Sequence, residues 1–172
     1  MKDLQLLTIL FFSVITLSCN KDENNDNLPP QQETFEATIN GGTYDNYSFT
    51  IGAYQITKGT NGNTLSIDIA DPNGDMVTLF LNGDGGFSSN TVKPMGGIDS
   101  NNFVTYGLIR QSNPQLSYFS SSGNVTITNN REHPTELGHR LISGTFSITA
   151  TSSDGLNTTS MTGSFIELNY VD

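Results

Sequence analysis

Cysteine, tryptophan and positive charge are scarce or absent in this chain of 172 residues. Cys19 is its only cysteine, so no disulfide can form within the chain and the folded part depends on its apolar core. The chain has 7 Lys and Arg residues against 17 Asp and Glu residues, and its net charge is −10 at pH 7. So acidic a surface repels phosphate backbones, which argues against nucleic acid as a partner.

Long apolar runs are absent as well. The run Leu4–Leu17 would rise only about 21 Å as a helix, which is too short for the ~30 Å hydrocarbon core of a bilayer. It matches the apolar centre of an export signal peptide, although Asp3 departs from the usual basic start. Leu17-Ser18-Cys19 resembles the lipobox that lipoprotein signal peptidase cleaves. That resemblance implies that residues 1–18 are removed and that Cys19 carries a lipid, which makes the membrane a partner.

Residues 19–33 contain almost no apolar side chains and cannot fold alone. We expect lipidated Cys19 and a flexible acidic tether over 19–33, followed by one domain over 34–172. The run Lys21-Asp22-Glu23 looks like the acidic lipoprotein export signal of Bacteroidota. That likeness implies a lipid-anchored protein of the outer membrane that faces the cell exterior. The alternative is a generic charged tether.

An alternation of apolar and polar residues begins at Thr34 and is clearest over Ile142–Ala150. No stretch of the domain shows the period of an amphipathic helix. Gly41-Gly42, Asp71–Gly74 and Ser153–Gly155 have the composition of tight turns. The pattern predicts a single all-β, antiparallel domain of about eight or nine strands, either a β-sandwich or a β-barrel-like fold.

The expected strands follow this alternation and the turn signals between them. They cover residues 34–40, 47–57, 65–69, 76–81, 103–110, 116–119, 125–128, 142–150 and 159–171. Residues 82–102 are rich in Gly, Ser and Asn and are expected to be mostly loop. Phe165 and Ile166 are adjacent apolar residues, so the inward face of the last strand is expected to switch at a β-bulge.

Four segments of the domain resemble an uncharacterised family of small Bacteroidota lipoproteins. They are Phe35–Gly41 (Phe-Glu-Ala-Thr-Ile-Asn-Gly), Gly123–Thr128, Ile142–Ala150 (which begins Ile-Ser-Gly-Thr-Phe) and Met161–Phe165. Together they span nearly the whole domain. The resemblance implies an all-β lipoprotein from that phylum, and it transfers no activity and no functional residue to this chain.

Two short segments contain side chains that metal ions bind. His133, Glu136 and His139 offer zinc two imidazoles and a carboxylate, but the spacing is not His-Glu-x-x-His and Pro134 disfavours an aligning helix. The alternative is a solvated connection between strands. Asp71–Asp75 begins like a calcium loop but lacks the later Gly and Glu, and a hairpin turn explains the same residues. The sequence therefore predicts neither a metal nor another cofactor.

Signals for catalysis are missing from the sequence. It has no Gly-x-Ser-x-Gly elbow, and its one thiol is the predicted anchor. We therefore favour a non-enzymatic binding or accessory module at the cell surface, with a protein or a glycan ligand left open. Such a module predicts a Tyr-lined face or barrel mouth. A hydrolase predicts two carboxylates about 5–9.5 Å apart in a cleft, and a structural component of an envelope complex predicts an exposed apolar patch.

Overall fold

The computed structural model describes residues 29–61 and 63–172. The predictions for residues 1–28, which include the signal peptide, the lipid on Cys19 and most of the tether, lie outside the described residues. Within the described ranges the chain forms ten β-strands and no helix, so the predicted all-β class is confirmed. The strands are β1 Thr34–Gly41, β2 Tyr44–Thr50, β3 Ala53–Lys58, β4 Leu65–Ala70, β5 Met76–Leu81, β6 Val92–Pro94, β7 Tyr106–Gln111, β8 Leu116–Glu132, β9 His139–Ser152 and β10 Thr158–Val171.

The strands form one antiparallel sheet that curls into a half-barrel. Its order is β2–β1–β10–β9–β8–β7–β5–β4–β3, and the short β6 pairs with β8 beyond the start of β7. The curl brings β3, at one margin, against the second half of β10, which β1 leaves uncovered. Across this seam the Tyr54 hydroxyl of β3 accepts the Asn169 N–H of β10 at 3.1 Å. The alternation allowed a β-sandwich or a β-barrel-like fold. The single curled sheet corresponds to the barrel-like one.

Residues 51 and 52 join the two margins of the sheet. The Ile51 N–H donates to the Phe35 carbonyl of β1 at 3.1 Å, and the Gly52 N–H donates to the Ala70 carbonyl of β4 at 2.9 Å. Consecutive backbone groups thus bond to β1 and β4, the neighbours of the two margin strands, and the chain bends between β2 and β3. A Cβ at position 52 would lie 3.0 Å from the backbone of the β4–β5 turn, so glycine fits best there. The single strand predicted over 47–57 is therefore wrong, because this stretch belongs to two strands in two pairings.

β8 runs unbroken for 17 residues, where the sequence predicted separate strands at 116–119 and 125–128. Its first part pairs with β7 and its later part with β6, while β9 pairs with nearly its whole length. Between the two parts Gly123 has a φ of +114°, and a Cβ there would lie 2.1 Å from the Ser147 carbonyl oxygen. Only glycine allows so close an approach, and this keeps β8 paired through a polar segment that has no apolar alternation.

The interior of the curled sheet holds one hydrophobic core, built from alternate residues of most strands. Three phenylalanines lie together in it: the centroid of the Phe35 ring is 5.2 Å from that of Phe146 and 5.7 Å from that of Phe49. All three are buried. Each Å² of apolar surface removed from water stabilises the fold by roughly 25 cal/mol, and this core is what holds a chain without disulfides together.

The last strand changes its inward face at a β-bulge, as the adjacent Phe165 and Ile166 predicted. Its register against β9 shifts between Phe165 and Leu168, and Glu167 has a φ of +49°. The bulge turns Glu167 into the interior, where it is only 5% exposed. There Arg131 of β8 donates from Nη2 to both carboxylate oxygens at 2.9 Å. A carboxylate so deeply buried requires a paired cation of this kind.

Glu167 also fixes the chain that leads into the domain. Its Oε2 accepts the Gln31 N–H at 2.7 Å, and the Tyr54 hydroxyl donates to Glu33 at 2.6 Å. Because β1 runs antiparallel to β10, the chain before Thr34 leads towards the end of β10. The first described residues are therefore held against the domain on a defined side.

The half-barrel has two ends with different connections. The tether end consists of residues 29–33, 59–61, 133–138 and 170–172. The turn end consists of the tight connections at residues 42–43, 71–75, 112–115 and 153–157. The eight residues of β1, at about 3.4 Å each, place the turn end ~25 Å from the point where the tether joins.

Replacing Arg131 with Met is expected to lower the free energy of unfolding by about 3–5 kcal/mol, because it leaves the Glu167 carboxylate buried without its cation. Urea denaturation followed by circular dichroism measures the loss. The double variant Arg131→Met with Glu167→Leu removes both charges and is expected to recover most of it. Arg110→Met, at an exposed position of β7, is the matched control. Equal stability of the single and double variants would contradict this account of the pair.

Candidate functional site

A cleft of about 370 Å³ opens at the turn end, where the β1–β2, β4–β5 and β7–β8 connections meet. Two tyrosines near the start of β2, Tyr44 and Tyr47, line it, with their ring centroids 5.4 Å apart. The rest of its wall is polar and consists of Thr43, Asp45, Asn73, Asp75, Gln111, Ser112 and Asn113. An aromatic surface with a few polar groups around it is a common composition for a small-ligand site.

Asp71 shapes the β4–β5 turn that forms one wall of the cleft. Its Oδ1 accepts the N–H groups of Asn73 at 2.8 Å and Asp75 at 2.9 Å, as an aspartate at the start of a turn commonly does. Gly74 completes the turn with a φ of +89°. Asp71 Oδ2 accepts a hydrogen bond from the Tyr47 hydroxyl, and Asn73 Nδ2 donates to the same hydroxyl at 2.9 Å. The Tyr47 ring is thus fixed by two partners from the turn.

Asp75, which is 5% exposed, links the β4–β5 connection to β2 and to the β7–β8 connection. Its Oδ2 accepts the Tyr44 hydroxyl at 3.0 Å, and its Oδ1 accepts both the N–H of Ser112 at 2.8 Å and its hydroxyl at 2.7 Å. Burial, followed by the charge of Asp75, raises the pKa of Tyr44. Burial, followed by the hydrogen bond to Asp71, raises the pKa of Tyr47. Both phenols are therefore protonated at neutral pH.

A third tyrosine, Tyr118 of β8, supports the cleft from the core. Its hydroxyl accepts the Thr43 N–H at 3.1 Å and lies 2.6 Å from Thr43 Oγ1, which in turn donates to Gln111 Oε1. Gly42 has a φ of +65°, and a Cβ there would lie 2.8 Å from the Tyr118 hydroxyl oxygen. Glycine alone leaves room for this contact, and through it the rim of the cleft is tied to the core.

Asp71 and Asp75 are the two buried carboxylates of the turn that borders this cleft. All four of their oxygens already accept hydrogen bonds, from backbone N–H groups, from the two tyrosines or from Ser112. Carboxylates engaged in this way position their neighbours and are poorly placed to protonate a leaving group. Asp71–Asp75 forms the hairpin turn that was the alternative to a calcium loop.

The three candidate metal ligands lie close together at the tether end. Glu136 Oε2 lies 3.2 Å from His139 Nδ1, and Glu136 Oε1 lies 4.0 Å from His133 Nε2. Asn169 links two of them, since it donates to Glu136 at 3.0 Å and its Oδ1 lies 2.9 Å from His139 Nδ1. The hydrogen bond from Asn169, helped by the two imidazoles, lowers the pKa of Glu136.

His133 closes the β8–β9 connection. Its Nδ1 accepts the Glu136 N–H at 2.9 Å, so this nitrogen is already engaged within the loop. Across residues 29–61 and 63–172, no group of three or more His, Cys, Asp or Glu side chains has an arrangement suited to a metal ion. The geometry is that of a hydrogen-bonded loop.

Sequence reasoning missed a buried lysine that organises residues 82–102, which are mostly loop apart from β6. Lys93 is 1% exposed, and its Nζ donates to the backbone carbonyls of Asn82, at 2.9 Å, and Asp84. The ammonium also lies 4.6 Å from the centroid of the Phe87 ring. Burial lowers the pKa of Lys93, while nearby carboxylates oppose that shift. Lys93 thus holds the loop together from within.

An apolar patch lies on the outer face of β5, β7 and β8. Phe80 and Tyr106 stack with their ring centroids 5.1 Å apart. Phe119 of β8, paired with Leu108 of β7, is 51% exposed on the same face. This patch is the feature that a structural component of an envelope complex was expected to show, and it lies on a different face from the cleft.

No protein-family model matches this chain, and no curated protein or solved structure matches it either. The resemblance of four sequence segments to Bacteroidota lipoproteins therefore stays a prediction. In the described part of the chain, no helix has the length and apolar character needed to cross a membrane.

The sequence pointed to one wall of the cleft and missed the other. Asp71–Asp75 stood out as a turn with ligand-type oxygens, but Tyr44 lay outside the strand predicted at 47–57. The partners of the tyrosines are 31 residues away for Tyr44 and 24 for Tyr47, and no local pattern reveals such pairs. The signal that was available was the accumulation of Tyr, Asp and Asn around two predicted turns.

Tyr44→Phe is expected to lower the free energy of unfolding by about 1–2 kcal/mol at neutral pH, because buried Asp75 loses a hydrogen-bond donor. It is also expected to flatten the loss of stability at high pH. The folded protein holds the Tyr44 proton more tightly than the unfolded chain does. The stabilisation that Tyr44 provides is therefore complete below the ordinary pKa of 10.0 and is lost as the pH rises above that value. Urea denaturation from neutral pH to about pH 11 measures both effects.

Tyr106→Phe is the matched control for this experiment. Among the described residues the Tyr106 hydroxyl has no hydrogen-bond partner, and the side chain lies on the outer face. We expect its pH profile to follow that of the unmodified protein. If the stability of Tyr44→Phe fell with pH in the same way as that of the unmodified protein and of Tyr106→Phe, the Tyr44–Asp75 contact would not control stability at high pH.

Proposed function

We propose that this chain is a lipoprotein of the outer membrane, anchored through Cys19 and facing the cell exterior, whose domain binds a neutral carbohydrate in the turn-end cleft. The observation that carries the binding proposal is the pair Tyr44 and Tyr47, fixed by fully engaged carboxylates and bordered by exposed amides and hydroxyls. The anchor rests on the lipobox-like Leu17-Ser18-Cys19 and the apolar run before it.

The chemistry of the cleft wall supports a neutral, hydroxyl-rich ligand. An aromatic ring packs against the apolar face of a sugar, and Tyr47 is partly exposed. Asn73, Ser112 and Asn113 are exposed at the rim, where amides and hydroxyls both donate and accept hydrogen bonds. Among the described residues that line the cleft none is Lys or Arg, and Asp45 is exposed at its edge, which disfavours an anion.

The rigidity of the cleft supports binding as well. Tyr47 is held by Asp71 and Asn73, and Tyr44 is held by Asp75. A ligand therefore meets groups that are already ordered, and little conformational entropy is lost when it binds. Preorganisation of this kind is what a binding module needs and what an exposed, loosely packed turn would not provide.

The position of the cleft supports a role at the cell surface. The tether joins the domain beside Glu167, and the cleft opens at the other end of the half-barrel. A domain anchored through its tether end presents its turn end away from the membrane. A ligand in the medium would then reach the cleft without crossing the lipid surface.

A hydrolase at the same cleft is the alternative that the carboxylate pair raises. It requires a carboxyl group that is free to exchange a proton with the substrate. Asp75→Asn separates the two functions, because a hydrolase would lose turnover of a bound oligosaccharide while a binding module would show no turnover in either form. Release of reducing sugar by the unmodified protein would favour the hydrolase.

Tyr47→Ala and Asn73→Ala are each expected to weaken binding of the recognised oligosaccharide about tenfold, because each removes a ring face or a hydrogen bond worth roughly 1–1.5 kcal/mol. Isothermal titration against a panel of neutral oligosaccharides measures the effect. Thr162→Ala, on the outer face of β10, is the matched control and is expected to bind normally. A panel without any binder, or equal binding by the cleft variants and the control, would rule the proposal out.

Cys19→Ala is expected to abolish acylation and to move the protein from the membrane fraction to the soluble fraction, because the lipid is the proposed anchor. Metabolic labelling with a radioactive fatty acid and fractionation of cells measure this. Protease treatment of intact cells tests the outward orientation of the unmodified protein, which is expected to be digested. Complete protection from the protease, with the cells intact, would exclude the cell exterior.

A further inference from the structure

Three cavities meet at one side chain of the tether end. Cavities of about 620, 500 and 140 Å³ lie around the ends of β3, β9 and β10, and Asp172 lines all three. Lys58 lines the two larger ones, and Arg140 lines the 500 Å³ and 140 Å³ ones. The Asp172 carboxylate therefore sits between two cations where these spaces join.

The two cations hold the Asp172 carboxylate unequally. Lys58 Nζ forms a hydrogen-bonded ion pair with Oδ1, whereas Arg140 Nη1 lies 3.8 Å from Oδ2, beyond hydrogen-bond distance. The backbone N–H of Asp172 donates to the Gly138 carbonyl at 2.9 Å, which fixes the position of the residue. The Asp172 carboxylate thus engages only some of the hydrogen-bond donors of Lys58 and Arg140.

Arg140 is oriented in advance by a fixed partner. Its Nε donates to Asn130 Oδ1 at 3.0 Å, and its Nη2 donates to the Asn130 carbonyl at 2.9 Å. Asn130 is itself held, since its Nδ2 donates to the Phe87 carbonyl at 3.0 Å and to the Tyr170 hydroxyl at 3.1 Å. The guanidinium is therefore immobilised with Nη1 directed towards the junction of the cavities.

We propose that Lys58 and Arg140 form a cation clamp for a phosphate group, in which the Asp172 carboxylate is a built-in occupant that the phosphate displaces. A phosphate offers three strong acceptor oxygens and up to two charges, so it engages the Arg140 Nη1 and Lys58 donors that Asp172 leaves unused. Asn63, Ser88 and Ser89 line the adjoining 500 Å³ cavity and add hydrogen-bonding groups for the rest of the ligand.

The clamp differs from the other cations of an otherwise acidic domain. Lys93 and Arg131 are buried with partners of their own, and Arg110 is exposed on the outer face of β7. The side chains of Lys58 and Arg140 are 31% and 26% exposed, so they are partly shielded from water and still reachable. A local pair of this kind attracts an anion at short range even where the net charge of the chain repels polyanions at long range.

The phosphate has two possible sources, and the position of the clamp makes both relevant. The tether end faces the membrane in an anchored protein, so a phospholipid headgroup lies within reach. A small soluble phosphorylated ligand offers the same group. The clamp chemistry is shared, and the experiment distinguishes the two sources.

The test uses the full chain purified in detergent, with inorganic phosphate as the probe in isothermal titration. Asp172→Asn keeps the shape of the side chain and removes the competing charge, so phosphate is expected to bind a few-fold more tightly. Lys58→Met is expected to weaken binding about tenfold, because it removes a charge-assisted hydrogen bond. A folding defect would not produce the gain in affinity of the first variant.

Two matched controls separate the clamp from net charge. Glu36→Gln removes one negative charge on the exposed outer face of β1, and Arg110→Gln removes one positive charge on β7. Neither is expected to change phosphate affinity by more than about twofold. The proposal is overturned if the controls shift affinity as much as the clamp variants do, or if neither the unmodified protein nor Asp172→Asn binds phosphate or phosphatidic acid.

The source is identified with the lipoprotein reconstituted in phosphatidylcholine vesicles, with and without phosphatidic acid. An amine-reactive reagent modifies Lys58, and mass spectrometry measures how much of it reacts. Protection by phosphatidic acid without added phosphate supports a headgroup at the clamp, whereas protection by free phosphate alone supports a soluble ligand. Full reactivity of Lys58 under both conditions refutes the clamp. Failure of carbohydrate binding at the turn end leaves this result unaffected, because the two sites share no residue.

Discussion

The bend at Ile51–Gly52 is the constraint on which the rest of the structure depends. Two adjacent N–H groups bond to carbonyls of β1 and β4, so the chain itself connects the two margins of the sheet and keeps it curled. The bend also sets the start of β2 against the β4–β5 turn, which brings Tyr44 and Tyr47 to Asp71 and Asp75. If the chain ran straight through Ile51–Gly52, β3 would not close against β10. The β4–β5 turn would then be left without Tyr44 and Tyr47 as the facing wall of the cleft.

Burial of polar groups is the second organising feature of this fold. Arg131 and Glu167 are paired inside the sheet, and Lys93 is enclosed by carbonyls of its own loop. Among the described residues, no buried side-chain nitrogen or oxygen lacks a hydrogen-bond partner. Fully satisfied networks of this kind specify one arrangement of the chain, since any other arrangement leaves charges unpaired. The fold thus gains from polar contacts some of the specificity that disulfides give to disulfide-bonded domains.

Local patterns in the sequence predict the strands well and their partners poorly. The alternation from Thr34 and over Ile142–Ala150 identifies β1 and β9, and the adjacent Phe165 and Ile166 identify the bulge. Residues 120–124 lack apolar alternation, so β8 was predicted as two strands, and the close approach at Gly123 that keeps it paired leaves no such pattern. The cleft and the Lys93 loop depend on contacts between residues far apart in the chain, which a period of two does not encode.

The contact between Gln31 and Glu167 has a mechanical consequence for an anchored domain. If the chain before Thr34 is pulled, the load meets the contacts of Gln31 and Glu33 and then runs along β1. β1 lies between β2 and β10, and seven residue pairs join it to β10 alone. Hydrogen bonds in an antiparallel sheet are perpendicular to the strands, so a pull along β1 strains all of them in parallel and does not open them one at a time. The same geometry that fixes the tether end lets the β1 pairings share the load of a pull on the chain that precedes them.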